Sequence, residues 1–322
     1  FIFIIPYGVK LKKINNKQLE FRRYIYINQI IWEQLIVPII SKLLGADIVL
    51  FTGNTGGYYI SSLLKIKISV VIHDVSFLKN NKYFPQSNNI YQIIGSIYRK
   101  YNITNVARYS DLIFTVSKFA KNDIVKELKV NKEKVIVIKN SLKKIFFKKI
   151  KKIKKNKIIL VVSGDTTQKN LNYLIKAIKN NGKIFDEWQI RIYGSNRSST
   201  NKSNIKIFKH TNPSKLINEY DKAAILIMPS LYESFGIPII EAMSRNVLVL
   251  ASNRGAFKEI SNNYLGLFNP ESEKSLIDNF NQVKNNLNNR SLINQARQYA
   301  LTHKPSLQAK LINNHLSGVL EK

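Results

Sequence analysis

Short runs of Ile, Val, Leu and Phe recur along the chain, each followed by a longer amphipathic stretch. That alternation restricts the fold to α/β, because strands separated by helix-length connections pair in parallel. In the first half the pattern predicts strands near 1–5, 47–51, 68–72, 112–116 and 134–138, with helices near 30–44, 91–109 and 118–128. In the second half it predicts strands near 158–163, 188–193, 204–208, 224–229, 247–251 and 265–268. The helices there are expected near 170–180, 213–222, 237–245, 255–262, 271–287, 290–301 and 305–319.

At 322 residues the chain has room for two domains. Between its halves lies LKKIFFKKIKKIKKNK, with nine lysines from Lys143 to Lys157. So many like charges do not share a buried site, so this segment reads as a solvated basic linker. Residues 1–157 carry 30 basic and 8 acidic residues, against 21 and 12 in 158–322. The total, 51 Lys and Arg against 20 Asp and Glu, is formally +31. A Lys-, Asn- and Ile-rich composition accounts for part of that excess, but a uniform bias would spread evenly. The first half is therefore the part suited to an anionic surface.

No cysteine is present, which excludes disulfides, thiolate zinc sites and thiol nucleophiles. Charged and polar residues interrupt every long apolar run, so no transmembrane helix is expected. The chain opens on FIFIIP, a strand already under way, without a leader and without Met at residue 1. The expectation is a first domain truncated at its N-terminus.

The segment richest in chemistry is 225–259, ILIMPSLYESFGIPIIEAMSRNVLVLASNRGAFKE. An apolar strand runs into a loop and then a helix with Pro238 near its start, where a missing N–H costs nothing. A helix N-terminus presents free N–H donors and a partial positive charge to an anion, and Gly236 lets the backbone approach it. Glu241, in the early helix, leans back toward that end, where its carboxylate could accept from a ribose diol. Glu233, on the loop, could accept from sugar hydroxyls. The bland alternative is two ordinary acids, one solvated and one suited to the helix dipole.

The wording decides between them. PSLYESFGIPIIEAM followed by a strand and Ala251-Ser252-Asn253 closely resembles the retaining glycosyltransferases of family 4, which have the GT-B fold. Their motif runs approximately PS-x-x-E-G-F-G-x-P-x-x-E-A-M. Ser234 here replaces the usual Gly, and Arg245-Asn246 a common Cys-Gly; both carboxylates remain. The loop from Ser163 to Leu171 (SGDTTQKNL) resembles the family's loop ending in R-K-N-L, with Gln168 at the usual Arg position. Val70-Val-Ile-His-Asp74 resembles its T-x-H-D segment. Asp111 to Ala120 (DLIFTVSKFA) and Val135 to Asn140 follow in the family's order. Trp32-Glu-Gln-Leu-Ile-Val-Pro38 resembles a signature of members that build bacterial surface polysaccharides.

The resemblance implies two Rossmann-like domains facing across a cleft, with 1–157 binding acceptor and 158–302 binding a nucleotide-sugar. Residues 303–322 would form a C-terminal helix packing back on the first domain. It implies catalytic roles for His73 and Glu233, and donor contacts from Gly164, Lys169, Phe235, Gly236, Ile237 and Glu241. No D-x-D and no metal-spaced cluster occurs, so neither a metal nor another cofactor is expected. The implied reaction retains anomeric configuration and moves a sugar, with GDP-mannose favoured, to a lipid-linked or polysaccharide acceptor. The setting would be O-antigen or lipopolysaccharide assembly, in the cytoplasm, peripheral on the inner face of the cytoplasmic membrane. Two other readings stay open. One is a basic nucleic-acid- or membrane-binding module, although no nucleic-acid-binding signature accompanies the charge. The other is a GT-B hydrolase or epimerase acting on nucleotide sugars.

Overall fold

The computed structural model describes residues 2–6, 20–79, 90–150, 155–197, 203–209, 211–261 and 263–321, with side chains from residue 93 in the helix that begins at 90. Strand β1 (Ile2–Pro6) pairs in parallel with β2 (Glu20–Tyr24) as a two-stranded sheet of its own. A helical stretch follows, made of α1 (Gln29–Ile31), a π turn (Trp32–Ile36) and α2 (Val37–Leu43). Next come β3 (Ile48–Phe51), α3 (Tyr58–Leu63), β4 (Lys67–Val71), α4 (Ile90–Tyr109), β5 (Leu112–Thr115), α5 (Lys118–Leu128) and β6 (Val135–Val137). Strands β3 to β6 form a parallel sheet in chain order.

The second half begins with β7 (Ile158–Val162), α6 (Leu171–Asn180), α7 (Gly182–Phe185), β8 (Gln189–Tyr193), β9 (Ile205–Phe208) and α8 (Pro213–Lys222). It continues through β10 (Ile225–Met228), α9 (Ile237–Ser244), β11 (Leu248–Ser252), α10 (Phe257–Ser261) and β12 (Leu265–Phe268). Helices α11 (Glu273–Asn285), α12 (Arg290–Leu301) and α13 (Pro305–Leu320) complete it. Its six parallel strands run β12-β11-β10-β7-β8-β9, the doubly wound order with its reversal between β7 and β10. The α/β class with Rossmann-like sheets follows the alternation read from the sequence.

Each face of the second sheet carries its own core: Leu160, Leu226 and Val249 on one side, Ile159, Ile227 and Leu250 on the other. The first of these cores does not stop at its own half. Val116 and Ala120, from around the start of α5, join Phe235, Ile239 and Phe257 in it. Helix α13 returns to the first sheet, where Leu316 packs with Leu112, Phe114 and Ile138 and the Lys67 ammonium donates to the Val319 carbonyl.

The lysine segment is solvated at Lys143, Lys144, Lys148, Lys149 and Lys157, all exposed, and departs from the solvated-linker expectation at Lys155. Lys151, Lys152 and Lys154 lie outside the described residues, but Lys155 turns inward and donates to the carbonyls of Tyr220 (2.8 Å) and Arg245 (2.9 Å). Burial pushes its ammonium down to about 7, against the opposing pull of Asp221. Arg245 grips Asp221 through two bonds of 2.7 and 2.8 Å and donates to the Lys148 carbonyl at 2.6 Å. The connector is thus stapled to α8 and α9 at two points by groups that ordinary spacing rules do not reveal.

Arg245 and Asp221 are 2% and 5% exposed as side chains, so removing one strands the other's charge. Arg245→Ala should cost about 3–5 kcal/mol in urea unfolding. Arg254→Ala, which breaks the exposed pair with Glu271, should cost less than about 1 kcal/mol. Equal losses would overturn this ranking.

Candidate functional site

Parallel connections place every strand-to-helix loop of the second sheet at one edge, and the reversal between β7 and β10 opens a crevice there. The loops that leave those two strands carry most of the residues singled out by sequence. After β7 the chain passes Ser163 and Gly164, makes a tight turn at Thr167–Lys169 and enters α6 through Asn170, at φ +54°. After β10 it passes Pro229 to Gly236 and enters α9. The Leu231 amide donates to the Gln168 carbonyl at 2.7 Å and ties the two loops together.

Across that tie, the Lys169 ammonium and a Glu233 carboxylate oxygen lie 2.7 Å apart, with side chains 24% and 17% exposed. The Glu233 backbone is held just as closely. Its carbonyl accepts from the Ala256 amide at 2.9 Å, and a Cβ on Gly255 (φ +61°) would lie 2.4 Å from that oxygen. Gly236 adopts φ +104°, and a Cβ there would meet the Phe257 ring at 2.7 Å. Both positions need glycine for conformation and for space. Phe235 is buried beside the His303 ring, with centroids 5.9 Å apart, whereas Ile237 is exposed at the start of α9.

Glu241 sits differently from the helix-face expectation. It is 6% exposed and accepts from the Tyr220 hydroxyl at 3.0 Å, inside the core between α8 and α9. Burial pushes its carboxyl up to about 7, although Tyr220 and Lys143 favour the charged form. His73 lies at the carboxyl end of β4, exposed, with its amide donating to Asn54 at 2.6 Å. The structure therefore brings Lys169 and Glu233 into contact and lines Gly164, Phe235, Gly236 and Ile237 along the same edge. It keeps Glu241 within the helix layer and His73 on the first sheet.

Several groups at this edge carry no sequence-level assignment. Ser117 caps α5 by accepting from the Ala120 amide at 2.9 Å and donates its hydroxyl to the Ser234 carbonyl at 2.6 Å. The Tyr232 hydroxyl donates to Asp123 at 2.8 Å. Beyond β8, Asp165 accepts from Ser195 (2.6 Å), the Asn196 amide (2.7 Å) and Arg197 (2.9 Å). Desolvation is the largest single influence and pulls Asp165 upward, but those three donors together outweigh it and lower the carboxyl from its ordinary value. For Ser117 its place directly before α5 is a visible capping signal; the long-range partners have none. Among the described residues no group of three His, Asp or Glu side chains is placed to hold a metal ion.

Glu241 gives the first test of this geometry. A carboxyl raised in the fold contributes stability below its unfolded value near 4.3, and that contribution is lost as pH rises toward 7. The loss is on the order of 3 kcal/mol. Glu241→Gln should flatten that slope between pH 4.5 and 7 in urea titrations; an unchanged slope would refute the buried acid.

Residues 143–299 match the family of glycosyl transferases group 1. The O-antigen chain mannosyltransferase RfbU of Salmonella typhimurium is 29% identical over 219 residues, which cover 64% of this chain and 58% of that protein. The MMP alpha-(1->4)-mannosyltransferase of Mycolicibacterium hassiacum is 25% identical over 167 residues, 48% of this chain and 40% of that one. The chain thus spans less than two thirds of these curated relatives. Among solved structures, a glycosyltransferase from Rickettsia africae superposes with TM-score 0.68 at 18% identity, covering 95% of this chain and 86% of its own. Anabaena HepE, solved in complex with UDP, gives TM-score 0.67 at 15% identity over 93% and 86%. These likenesses establish the shared two-sheet fold.

Proposed function

We propose that the protein transfers a sugar from a nucleotide-sugar donor to a glycan acceptor, with retention. The observation that carries this reading is the Lys169–Glu233 pair at the reversal point of the second sheet, inside the residues that match glycosyl transferases group 1. In this reading 158–302 holds the donor, 1–157 the acceptor, and 303–322 tethers the first sheet.

A departing nucleoside diphosphate leaves with negative charge, and a point positive charge beside a helix N-terminus is suited to receive it. Lys169 and the amides at the start of α9 provide both without a metal. Arrival of the diphosphate gives Lys169 a second anionic partner, which frees Glu233 to accept from sugar hydroxyls. His73 faces the acceptor from the first sheet. This reading assigns no carboxylate a nucleophile's role: the acceptor attacks from the leaving group's face and the departing phosphate takes its proton. Glu241 supports the ribose side through α9. A mannosyl donor comes first, because both curated relatives named above are mannosyltransferases. The likeness to RfbU, named for the O-antigen chain, supports a role in surface-glycan assembly, and the proposal adds a lipid-linked acceptor.

Thermal shift against nucleotide sugars, followed by product mass, tests the activity. Lys169→Ala should weaken the diphosphate sugar by roughly 10- to 100-fold and leave the bare nucleoside unchanged. Glu233→Ala should lower turnover more than donor affinity. EDTA should leave turnover intact, and its abolition with rescue by Mn²⁺ would refute metal independence.

The acceptor reading includes an anionic membrane surface. Sixteen of the twenty large apolar side chains exposed among the described residues precede Ser110. Leu35, Ile39 and Leu43 on or beside α2, Tyr59 and Leu63 on α3, and Ile94, Ile97 and Tyr101 on α4 belong to this set, alongside exposed Arg99, Lys100 and Arg108. Of the four tyrosines in α4, Tyr101 and Tyr109 are exposed, and the side chain of Tyr91 lies outside the described residues. Tyr98 turns inward instead, donating to Glu33 at 3.0 Å. No helix among the described residues is long and apolar enough to cross a membrane. Sedimentation with phosphatidylglycerol vesicles should show salt-sensitive binding, reduced when Arg99, Lys100 and Arg108 become Ala. Equal pelleting with neutral vesicles would end the membrane reading.

A further inference from the structure

We infer that Asp123 is a positioning residue: its carboxylate latches the His73 side of the cleft to the Glu233 loop and holds the two in register. The inference rests on the proposed function for its effect on turnover, but its geometry stands apart from that reading. One oxygen of Asp123, on α5, takes the Lys79 ammonium at 2.6 Å and the Tyr232 hydroxyl at 2.8 Å. Lys79 follows His73 by six residues, after the turn Ser76–Leu78 that Asp74 closes by accepting from the Ser76 amide at 3.0 Å. Tyr232 directly precedes Glu233. The Lys79 ammonium also lies 5.3 Å from the Tyr232 ring centroid and 5.8 Å from that of Phe119, and those two rings pack 5.4 Å apart.

A carboxylate 12% exposed is costly to bury unless paired, and here both partners belong to segments that carry candidate catalytic groups. Burial, then the Asp123 acceptor, also drives the Tyr232 hydroxyl far above its usual range, so it stays a donor at every working pH. Two more bonds cross at the same place: Ser117 to the Ser234 carbonyl, and the Phe119 amide to Glu259 at 3.2 Å. Asp123 differs from these in joining side chains from three segments at one atom. Removing its charge leaves the Lys169–Glu233 pair, within the second half, intact. Donor binding should therefore survive while alignment across the cleft is lost.

The test uses the full chain. With no native cysteine, spin labels at Lys126→Cys and Lys258→Cys, both exposed, report the separation of α5 from α10. Wild type should give one narrow distance distribution, and Asp123→Asn and Tyr232→Phe broader ones. Lys79→Arg, which keeps the charge, should stay near wild type. With a donor and acceptor in hand, Asp123→Asn should lower kcat tenfold or more and change donor Kd less than threefold. An unchanged distribution in both variants, or an unchanged kcat, overturns the latch. If wild type turns over no nucleotide sugar, the proposed function fails while the distances still decide the latch. Tyr232→Phe removes a single hydroxyl, so it serves if Asp123→Asn does not fold.

Discussion

A parallel sheet cannot be laid down by hairpins: each strand must be reached by a crossover that returns along one face. From that constraint the arrangement of this molecule follows. All loops leaving strands gather at one edge, and the winding reverses between β7 and β10, where the connections diverge to opposite faces. Lys169 and Glu233 are 64 residues apart and meet there because their strands are neighbours. The chemistry is thus a consequence of strand order more than of local sequence.

The loop that carries Glu233 is fixed from several directions. Lys169 holds its carboxylate, the Ala256 amide its carbonyl, Ser117 the next carbonyl, and Asp123 the preceding tyrosine. Two of those anchors come from the second half and two from the first. A carboxylate set this way keeps its direction only when both halves are in place, which couples geometry at the site to the relation between the sheets.

Local signals made much of the fold legible. The helices over 118–128, 213–222 and 290–301 begin at Ser117, Asn212 and Asn289, whose side chains accept from the first turn, so their starts are written in the sequence. Strand β2 was not anticipated, because EFRRY pairs only with β1 and shows no buried alternation. Helix α3 reads YYISSL, aromatic and β-branched, and its helical state is set by packing against α2 and α4. Within the site, the motif residues were readable because they are contiguous. Asp123, 109 residues from Tyr232, and Tyr220, 21 residues from Glu241, were not, since no spacing rule links them. The same holds for Lys155, whose acceptors lie 65 and 90 residues away.

Two stretches of chain cross between the halves, before and after the second sheet, and they touch: the Leu142 amide donates to the His303 carbonyl at 2.9 Å. The His303 ring, buried, packs against Tyr299 on one side and Phe235 on the other. Phe235 follows Glu233 by two residues, so the crossing point and the carboxylate loop share a wall. The connector is pinned to the second half just beyond, through Arg245 at Lys148 and through Lys155. A change in the angle between the halves would have to pass through the short stretches near Leu142 and His303, and it would disturb the packing of Phe235. The Glu233 loop thus shares its packing with the point where the chain crosses between the halves, and no long-range relay is needed to couple the two.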